Sequence, residues 1–292
     1  MIISNTLQAN DDSLKLNFIN LRTRRNLASL LEIEYGHLNY LLYYSKKQKY
    51  KQFEINKRSG GKRTISAPIF SIKIIQKKLS HILGLIFEPK IVVHGFVAGR
   101  SILSNAEKHV KRNLILNIDL KNFFDSINFG RIRGLFLAAP YNFSDEVATT
   151  IAQIACYDNK LPQGSPLSPI LSNMITSGLD YKLQKLAKQY NCLYTRYADD
   201  ITFSTNKEYF DKNIVLKNKN DNHSWFLGKK IVEIINKNGF EINDKKVKVQ
   251  HKTKRQEVTG VIVNEFKNVR RSLVREVRGM LHAWEIYGIK DA

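Results

Sequence analysis

The stretch Leu193-Tyr194-Thr195-Arg196-Tyr197-Ala198-Asp199-Asp200-Ile201-Thr202-Phe203-Ser204 constrains the chain most. Two adjacent carboxylates sit between two runs rich in aromatic and β-branched residues, the composition of strands. A strand–turn–strand reading puts Asp199 and Asp200 at a hairpin tip. Aspartate is common in turns, so the pair alone fits a plain polar hairpin as well as it fits a site. A third carboxylate breaks the tie. Asp119 ends the apolar run Leu114-Ile115-Leu116, in the segment Asn117-Ile118-Asp119. A strand-end aspartate beside a hairpin-tip pair has the ligands for two divalent ions. In-line phosphoryl transfer uses two such ions, one on the attacking oxygen and one on the leaving oxygen.

Charge names the class of partner. The 292 residues carry 47 Lys+Arg against 26 Asp+Glu, a formal net charge of +21. That balance suits a polyanion, most simply nucleic acid. The length allows one large or two modest domains. A membrane surface is the competing polyanion, but no apolar run approaches the roughly 18 residues of a spanning helix. Met1 to Asp12 lacks the basic-then-apolar pattern of a secretory signal. Cys156, Cys192 and the 7 histidines show no metal-ligand spacing. Neither a zinc site nor a disulfide framework is expected, and a reducing cytoplasm is the natural location.

Leucines at three- and four-residue steps predict helix over 14–44. A basic hairpin follows, with cations from Lys46 to Arg63, extended segments at 50–56 and 62–67, and a Ser59-Gly60-Gly61 turn. So many cations on one hairpin make a good phosphate clamp. Further helices are predicted over 71–87, 105–110, 128–137, 145–156, 170–190, 225–238 and 270–286. Strands are predicted at 91–93, 114–119, 245–249 and 256–263, with 207–220 as loop. The last helix is basic, with Leu273, Val277, Met280, Leu281 and Trp284 as its apolar stripe. Lys160 to Pro169 is a Pro/Gly-rich loop feeding the helix at 170–190.

In this order the residues resemble a known family. The basic hairpin with Arg63, Asn117–Asp119 with Phe123-Phe124, Leu161-Pro162-Gln163-Gly164-Ser165-Pro166, Tyr197-Ala198-Asp199-Asp200, Gly239 to Lys246 and Val258-Thr259-Gly260 follow the fingers and palm motifs of reverse transcriptases. The resemblance runs from about Asn56 to Trp284. Each motif alone is weak, and the ordered set is specific. Asn105-Ala106-Glu107-Lys108-His109 and Val258-Thr259-Gly260 resemble the Asn-Ala-x-x-His and Val-Thr-Gly signatures of bacterial retron enzymes, within the group II intron-like prokaryotic lineage. Without the family, His109 reads as an ordinary helix histidine and Val-Thr-Gly as a strand ending in a turn.

The resemblance implies an α+β right-hand polymerase: a mainly antiparallel palm sheet backed by helices, basic fingers and a helical thumb. Here the sequence departs from the family, ending at Ala292, so the thumb is expected to be short or truncated or to be completed by a partner. It divides the chain into an N-terminal helical region (1–45), fingers (46–115), a palm with interleaved fingers segments (116–262) and thumb (263–292). It implies that Asp119, Asp199 and Asp200 are catalytic and hold two Mg2+ ions, with Mn2+ as a substitute. Asp119 and Asp199 would do most of the coordination, helped by the backbone carbonyl of Ile118 or Leu120. Lys62 and Arg63 would reach over the triphosphate, Arg63 by its planar fork. Gln163 would contact the incoming nucleotide, and Gly164 would let the backbone approach closely. Phe124 would exclude a sugar 2′-hydroxyl, and alternation would put Phe123 on the opposite side. Lys246 would serve the leaving pyrophosphate as an acid, unless it belongs with Lys245 and Lys248 to a solvated face. Asn105, His109, Tyr197, Val258, Thr259 and Gly260 would touch nucleic acid, and Arg270, Arg271, Arg275 and Arg278 would track a duplex backbone.

The partners implied are a structured non-coding RNA as template and primer, its DNA product, dNTPs and a separate effector protein, with no membrane. Priming from a guanosine 2′-hydroxyl would give branched RNA-linked single-stranded DNA (msDNA), used in antiviral, anti-phage defence. The alternatives are another intron-type or defence-associated reverse transcriptase, a catalytically idle RNA-binding scaffold and a two-metal nuclease. The intact aspartate set counts against the scaffold. Phe124 and the Gln163-Gly164 loop count against the nuclease.

Overall fold

Capping side chains decide where the first elements begin. In the computed structural model, which describes residues 6–44, 49–56, 60–217 and 225–288, the leucine-rich start is not one helix. It forms helices Asp11–Ile19, Arg24–Leu30 and Tyr35–Asn39, then a π-helical turn at Tyr40–Tyr44. Asn10 caps the first helix, and Thr23 with Asn26 closes a capping box on the second. Each cap satisfies N–H groups that a continuous helix would bond internally, so each starts a new helix. The leucine periodicity does mark the buried side, since Leu27, Leu31, Leu38 and Leu41 are all in the core.

The chain divides into two compact units. One comprises residues 1–90 and 122–178, the other residues 91–121 and 179–292. The boundary at 178/179 falls inside helix Ser168–Gln189.

In the first unit, β1 (Tyr50–Asn56) and β2 (Lys62–Pro68) pair antiparallel from Tyr50↔Pro68 to Asn56↔Lys62. This is the expected basic hairpin. Its cations Lys46, Lys47, Lys57 and Arg58 and its turn residue Ser59 lie outside the described residues. Helix Phe70–Ile86 buries Ile72, Ile75, Leu79, Ile82 and Leu83. Helix Asp145–Ala155 starts at the Ser144 cap with two acidic residues in its first turn and buries Val147, Ile151 and Ile154. Gln76 Nε2 donates to Tyr50 Oη at 2.7 Å and to the Ile154 carbonyl at 2.8 Å, while Ser165 Oγ donates to Gln76 Oε1 at 2.8 Å. This buried network joins β1, two helices and the Pro/Gly loop.

The second unit is built on β3 (Leu114–Lys121), β4 (Leu193–Tyr197), β5 (Asp200–Thr205), β6 (Val215–Lys217), β7 (Trp225–Leu227), β8 (Glu241–Ile242), β9 (Lys248–His251), β10 (Glu257–Val258) and β11 (Val261–Ile262). β3 is central to a five-stranded antiparallel sheet. β5 pairs along one edge and carries β4 outside it, while β9 and β8 pair in succession along the other. The expected strand at 91–93 is a single bridge, Val93↔Arg196. The expected helix at 225–238 is β7 followed by helix Lys229–Lys237, because Gly228 packs its backbone onto the Asn213 carbonyl and the Ile214 nitrogen. The 207–220 loop contains β6 within its described part, and 245–249 opens as a 3₁₀ turn before β9. In helix Arg271–Tyr287 the stripe Leu273, Val277, Met280, Leu281 and Trp284 stays exposed. Together these elements make an α+β fold. Among the described residues no helix is long and apolar enough to cross a membrane.

Candidate active site

Antiparallel register brings the carboxylates together. Asp119 on β3 lies directly across the ladder from Asp200 on β5. Tyr197↔Asp200 closes the β4–β5 hairpin, leaving Ala198-Asp199 as a two-residue turn with Asp199 at the tip. Ala198 has φ 55°, a left-handed conformation that such turns usually give to Gly, Asn or Asp. The Leu120 N–H donates to the Asp199 carbonyl at 3.0 Å, tying the tip to β3.

Asp119 is buried and held on both oxygens. Oδ2 accepts from Lys246 Nζ at 2.7 Å and Oδ1 from Asn243 Nδ2 at 3.0 Å. The hydrogen bond to Asp119 is the main reason the Lys246 ammonium is held above its usual pKa, so it stays charged. Lost hydration in the crowded cleft, then the charges of Asp199 and Asp119, push the Asp200 carboxyl up to about 7 against the pull of Lys246. Asp200 as a residue is nonetheless exposed. A cleft of about 580 Å³ runs from Asp119 and Asp200 past Lys246 and Arg255 to Thr259 and Gly260.

The donor set is chemically right for a hard cation, which prefers carboxylate oxygens. The rise at Asp200 comes first from lost hydration and then from the charges of Asp199 and Asp119, and a cation would relieve that second part. Among the described residues, however, no three Asp, Glu, His or Cys side chains are gathered into a ready-made metal site. Lys246 Nζ occupies one of the Asp119 oxygens, Oδ2, at 2.7 Å.

The other nucleotide-binding candidates lie in the first unit. Lys62 pairs with Glu54 at 2.7 Å, and Arg63 beside it on β2 is exposed. The Gln163 carbonyl accepts from the Ser66 N–H at 2.8 Å. Gly164 has φ 127°, and a Cβ there would meet the Ser66 carbonyl oxygen at 2.9 Å. Phe123 is buried and Phe124 half-buried, with ring centroids 5.3 Å apart. The backbone between them and Asp119 turns at Asn122, φ 49°, and does not continue the strand.

A family model described as "Reverse transcriptase (RNA-dependent DNA polymerase)" matches residues 55–263. The Retron Ec86 reverse transcriptase of Escherichia coli is 35% identical over 246 residues, covering 83% of this chain and 72% of the relative. The Retron Mx65 reverse transcriptase of Myxococcus xanthus is 33% identical over 282 residues, covering 89% of this chain. The chain belongs to the retron reverse transcriptases. It spans 62% of the length of the Mx65 relative and 52% of the Retron Mx162 reverse transcriptase of Myxococcus xanthus, to which it is 34% identical over 258 residues. Among solved structures, a telomerase from Candida albicans in complex with a fragment of telomeric RNA is 13% identical. That match covers 83% of this chain and 49% of the telomerase chain, with a TM-score of 0.50, a likeness of fold.

The two retron signatures lie largely inside this family member. Ala106, Val258, Val261 and Val263 form one buried cluster with Ile115 of β3. Asn105 is buried, with Nδ2 3.5 Å from Thr259 Oγ1. His109 is buried between Ser204 Oγ and Thr195 Oγ1, each 2.7 Å away. Placed there, Asn105, His109 and Val258 present no surface to a nucleic acid. Tyr197 and Thr259 are half-buried and Gly260 is exposed. Arg270 donates through Nε to Glu257 Oε2 at 2.9 Å and pairs again through Nη2, whereas Arg271, Arg275 and Arg278 are exposed on their helix. Sequence reasoning missed Asn243, which holds Asp119. Its only signal was an amide three residues before Lys246.

Proposed function

We propose that this retron reverse transcriptase family member is an RNA-directed DNA polymerase that copies part of a structured non-coding RNA into branched RNA-linked single-stranded DNA. The observation that carries the reading is Asp119 facing Asp200 across β3 and β5, with Asp199 at the joining tip. Asp119 and Asp199, supported by Asp200 and a backbone carbonyl at Ile118, would hold two Mg2+ ions. When bound, these would neutralise charge on the attacking and leaving oxygens of a primer hydroxyl's attack on a dNTP.

Lys246 has two tasks in this reading. It holds the Asp119 carboxylate in place through the 2.7 Å hydrogen bond to Oδ2 until Asp119 is needed as a ligand. Once released, its Nζ proton is available to the leaving pyrophosphate, which is ordinary general-acid work. Family resemblance assigns nucleotide contacts to Lys62, Arg63, Phe124, Gln163 and Gly164. It assigns backbone contacts to Arg271, Arg275 and Arg278, supported by their exposure and by the net charge of +21. A cytoplasmic role in anti-phage defence with a separate effector completes the proposal.

The test is on the cellular complex. Nucleic acid bound to wild type and to Asp199→Ala/Asp200→Ala is extracted, then treated with RNase and debranching enzyme. A discrete single-stranded DNA, present only with wild type and shortened by debranching, is expected. DNA without a branch moves the enzyme off the retron reading. RNA alone in both samples removes the polymerase.

A further inference from the structure

One ion pair in the second unit is more deeply buried than any surface role requires. Asp180, on helix Ser168–Gln189, and Arg196, on β4, are both 0% exposed. Arg196 donates through Nε to Asp180 Oδ1 at 2.7 Å and through Nη2 to Oδ2 at 2.8 Å. Tyr194 Oη donates to the same Oδ1 at 2.7 Å. Taking two charges this far from water is unfavourable unless every donor finds a partner. The remaining arm shows what the pair is for: Arg196 Nη1 donates to the carbonyl of Ala198 at 2.9 Å.

Ala198 is the strained residue of the turn that presents Asp199, with φ 55°. A left-handed non-glycine residue persists only where its surroundings hold it. Two neighbours do so here. Arg196 grips its carbonyl, and Gly95 lies against its nitrogen so closely that a Cβ on Gly95 would overlap that atom and sit 2.9 Å from the Tyr197 carbonyl carbon. The Gly95 segment is itself anchored to β4, with His94 N–H donating to the Arg196 carbonyl at 2.8 Å and Arg196 N–H to the Val92 carbonyl at 2.9 Å.

We propose that Arg196, locked by Asp180, is a positioning residue for the reaction: it clamps the Ala198 carbonyl, and Gly95 closes the other side, so that Asp199 and Asp200 are held in the geometry that metal-dependent catalysis needs. The inference rests on the reading of those aspartates as metal ligands. Lysine at 196 would keep the charge and lose the planar fork, which alone can grip Asp180 twice and Ala198 once.

The experiment compares Arg196→Lys and Tyr194→Phe with wild type in primer extension on an RNA template, with Mg2+ titrated and melting temperature recorded. Tyr194→Phe removes a buried hydrogen bond from the same carboxylate but leaves the Arg196–Ala198 contact, so it reports the purely structural effect. The expected result for Arg196→Lys is a 10- to 100-fold fall in kcat, of the order that a misplaced group brings. KM for dNTP should stay within about 2-fold and the Mg2+ concentration for half-maximal rate should rise several-fold. Tyr194→Phe should melt lower yet keep the wild-type kcat and Mg2+ requirement. If both variants lose activity only in proportion to folded protein, with an unchanged Mg2+ requirement, Arg196 is structural and the proposal is overturned. If Arg196→Lys does not fold, Asp180→Glu is read by the same two criteria. Retained activity in Asp199→Ala would instead sink the metal-ligand reading, whatever Arg196 does.

Discussion

Acid should weaken this fold through His109. Its Nδ1 lies 2.7 Å from Ser204 Oγ and its Nε2 2.7 Å from Thr195 Oγ1. A neutral ring suits that site, donating to one hydroxyl and accepting from the other, whereas a protonated ring has two donors and a charge with no water around it. Burial, helped by nearby Arg112 and His94, pushes its pKa from 6.5 down to about 3. In the unfolded chain the ring returns to about 6.5. Between those values the unfolded state binds the extra proton, so stability falls as pH falls. The contribution is whole above about pH 6.5, and each pH unit below removes about 1.4 kcal/mol, or about 2 kcal/mol by pH 5. That is a large share of a typical stability of about 5–15 kcal/mol. Urea unfolding at pH 7 and pH 5, on wild type and on His109→Gln, measures it. Every other titrating group is common to the two proteins. His94, pushed down to about 4 by burial and then by Arg100 and Lys108, acts with the same sign in both. Wild type should lose about 2 kcal/mol more than the variant. Equal losses would refute the argument.

Other perturbations test other contacts. Val261→Ala opens a cavity in the cluster with Ile115 and Val258 and should cost about 1–3 kcal/mol by urea midpoint. Gly164→Ala forces a Cβ to within 2.9 Å of the Ser66 carbonyl oxygen at φ 127°, so the melting temperature should drop, while Gly99→Ala, where the space is open but φ is 73°, shows backbone strain alone. Lys246→Met should lower kcat by about 100-fold with RNA affinity unchanged, measured in single-turnover extension. Arg275→Gln/Arg278→Gln should make the log–log salt dependence of RNA binding shallower by about 0.7–0.9 per lost phosphate contact, and an unchanged slope would remove these arginines from the interface.

Elements whose register or periodicity is written in consecutive residues were legible. β1–β2, the helix Phe70–Ile86 and the β3, β4 and β5 strands were readable from alternation, apolar spacing and turn residues. The meeting of Asp119 with Asp200 was readable because Asp119 ends an apolar run and Asp200 opens the strand after the turn, although β3 runs on to Lys121. What escaped depends on side-chain caps or on partners far along the chain. The break of the leucine-rich start into three helices is local, but a periodicity count does not see caps. The β7 strand was hidden because Trp225 to Leu227 is short and apolar, and only Gly228 against Asn213 separates it from the following helix. Lys246 on Asp119 joins residues 127 apart, and neither side carries a local signal of the other.

The buried signatures change how their variants must be read. His109 bonds Thr195 on β4 and Ser204 on β5, the two strands joined by the Asp199 turn. Val258 packs with Ile115 of β3, and Asn117 Nδ2 on β3 donates to the Glu257 carbonyl at 2.9 Å. Both signatures therefore reach the carboxylate-bearing strands through the core. A His109 or Val258 variant that loses activity would be expected from core mechanics alone. An RNA contact is established only by loss of RNA affinity in a variant whose unfolding midpoint matches wild type. For His109→Gln, the structure argues for the opposite pattern: a lower midpoint at pH 7, with RNA affinity preserved in the fraction that remains folded.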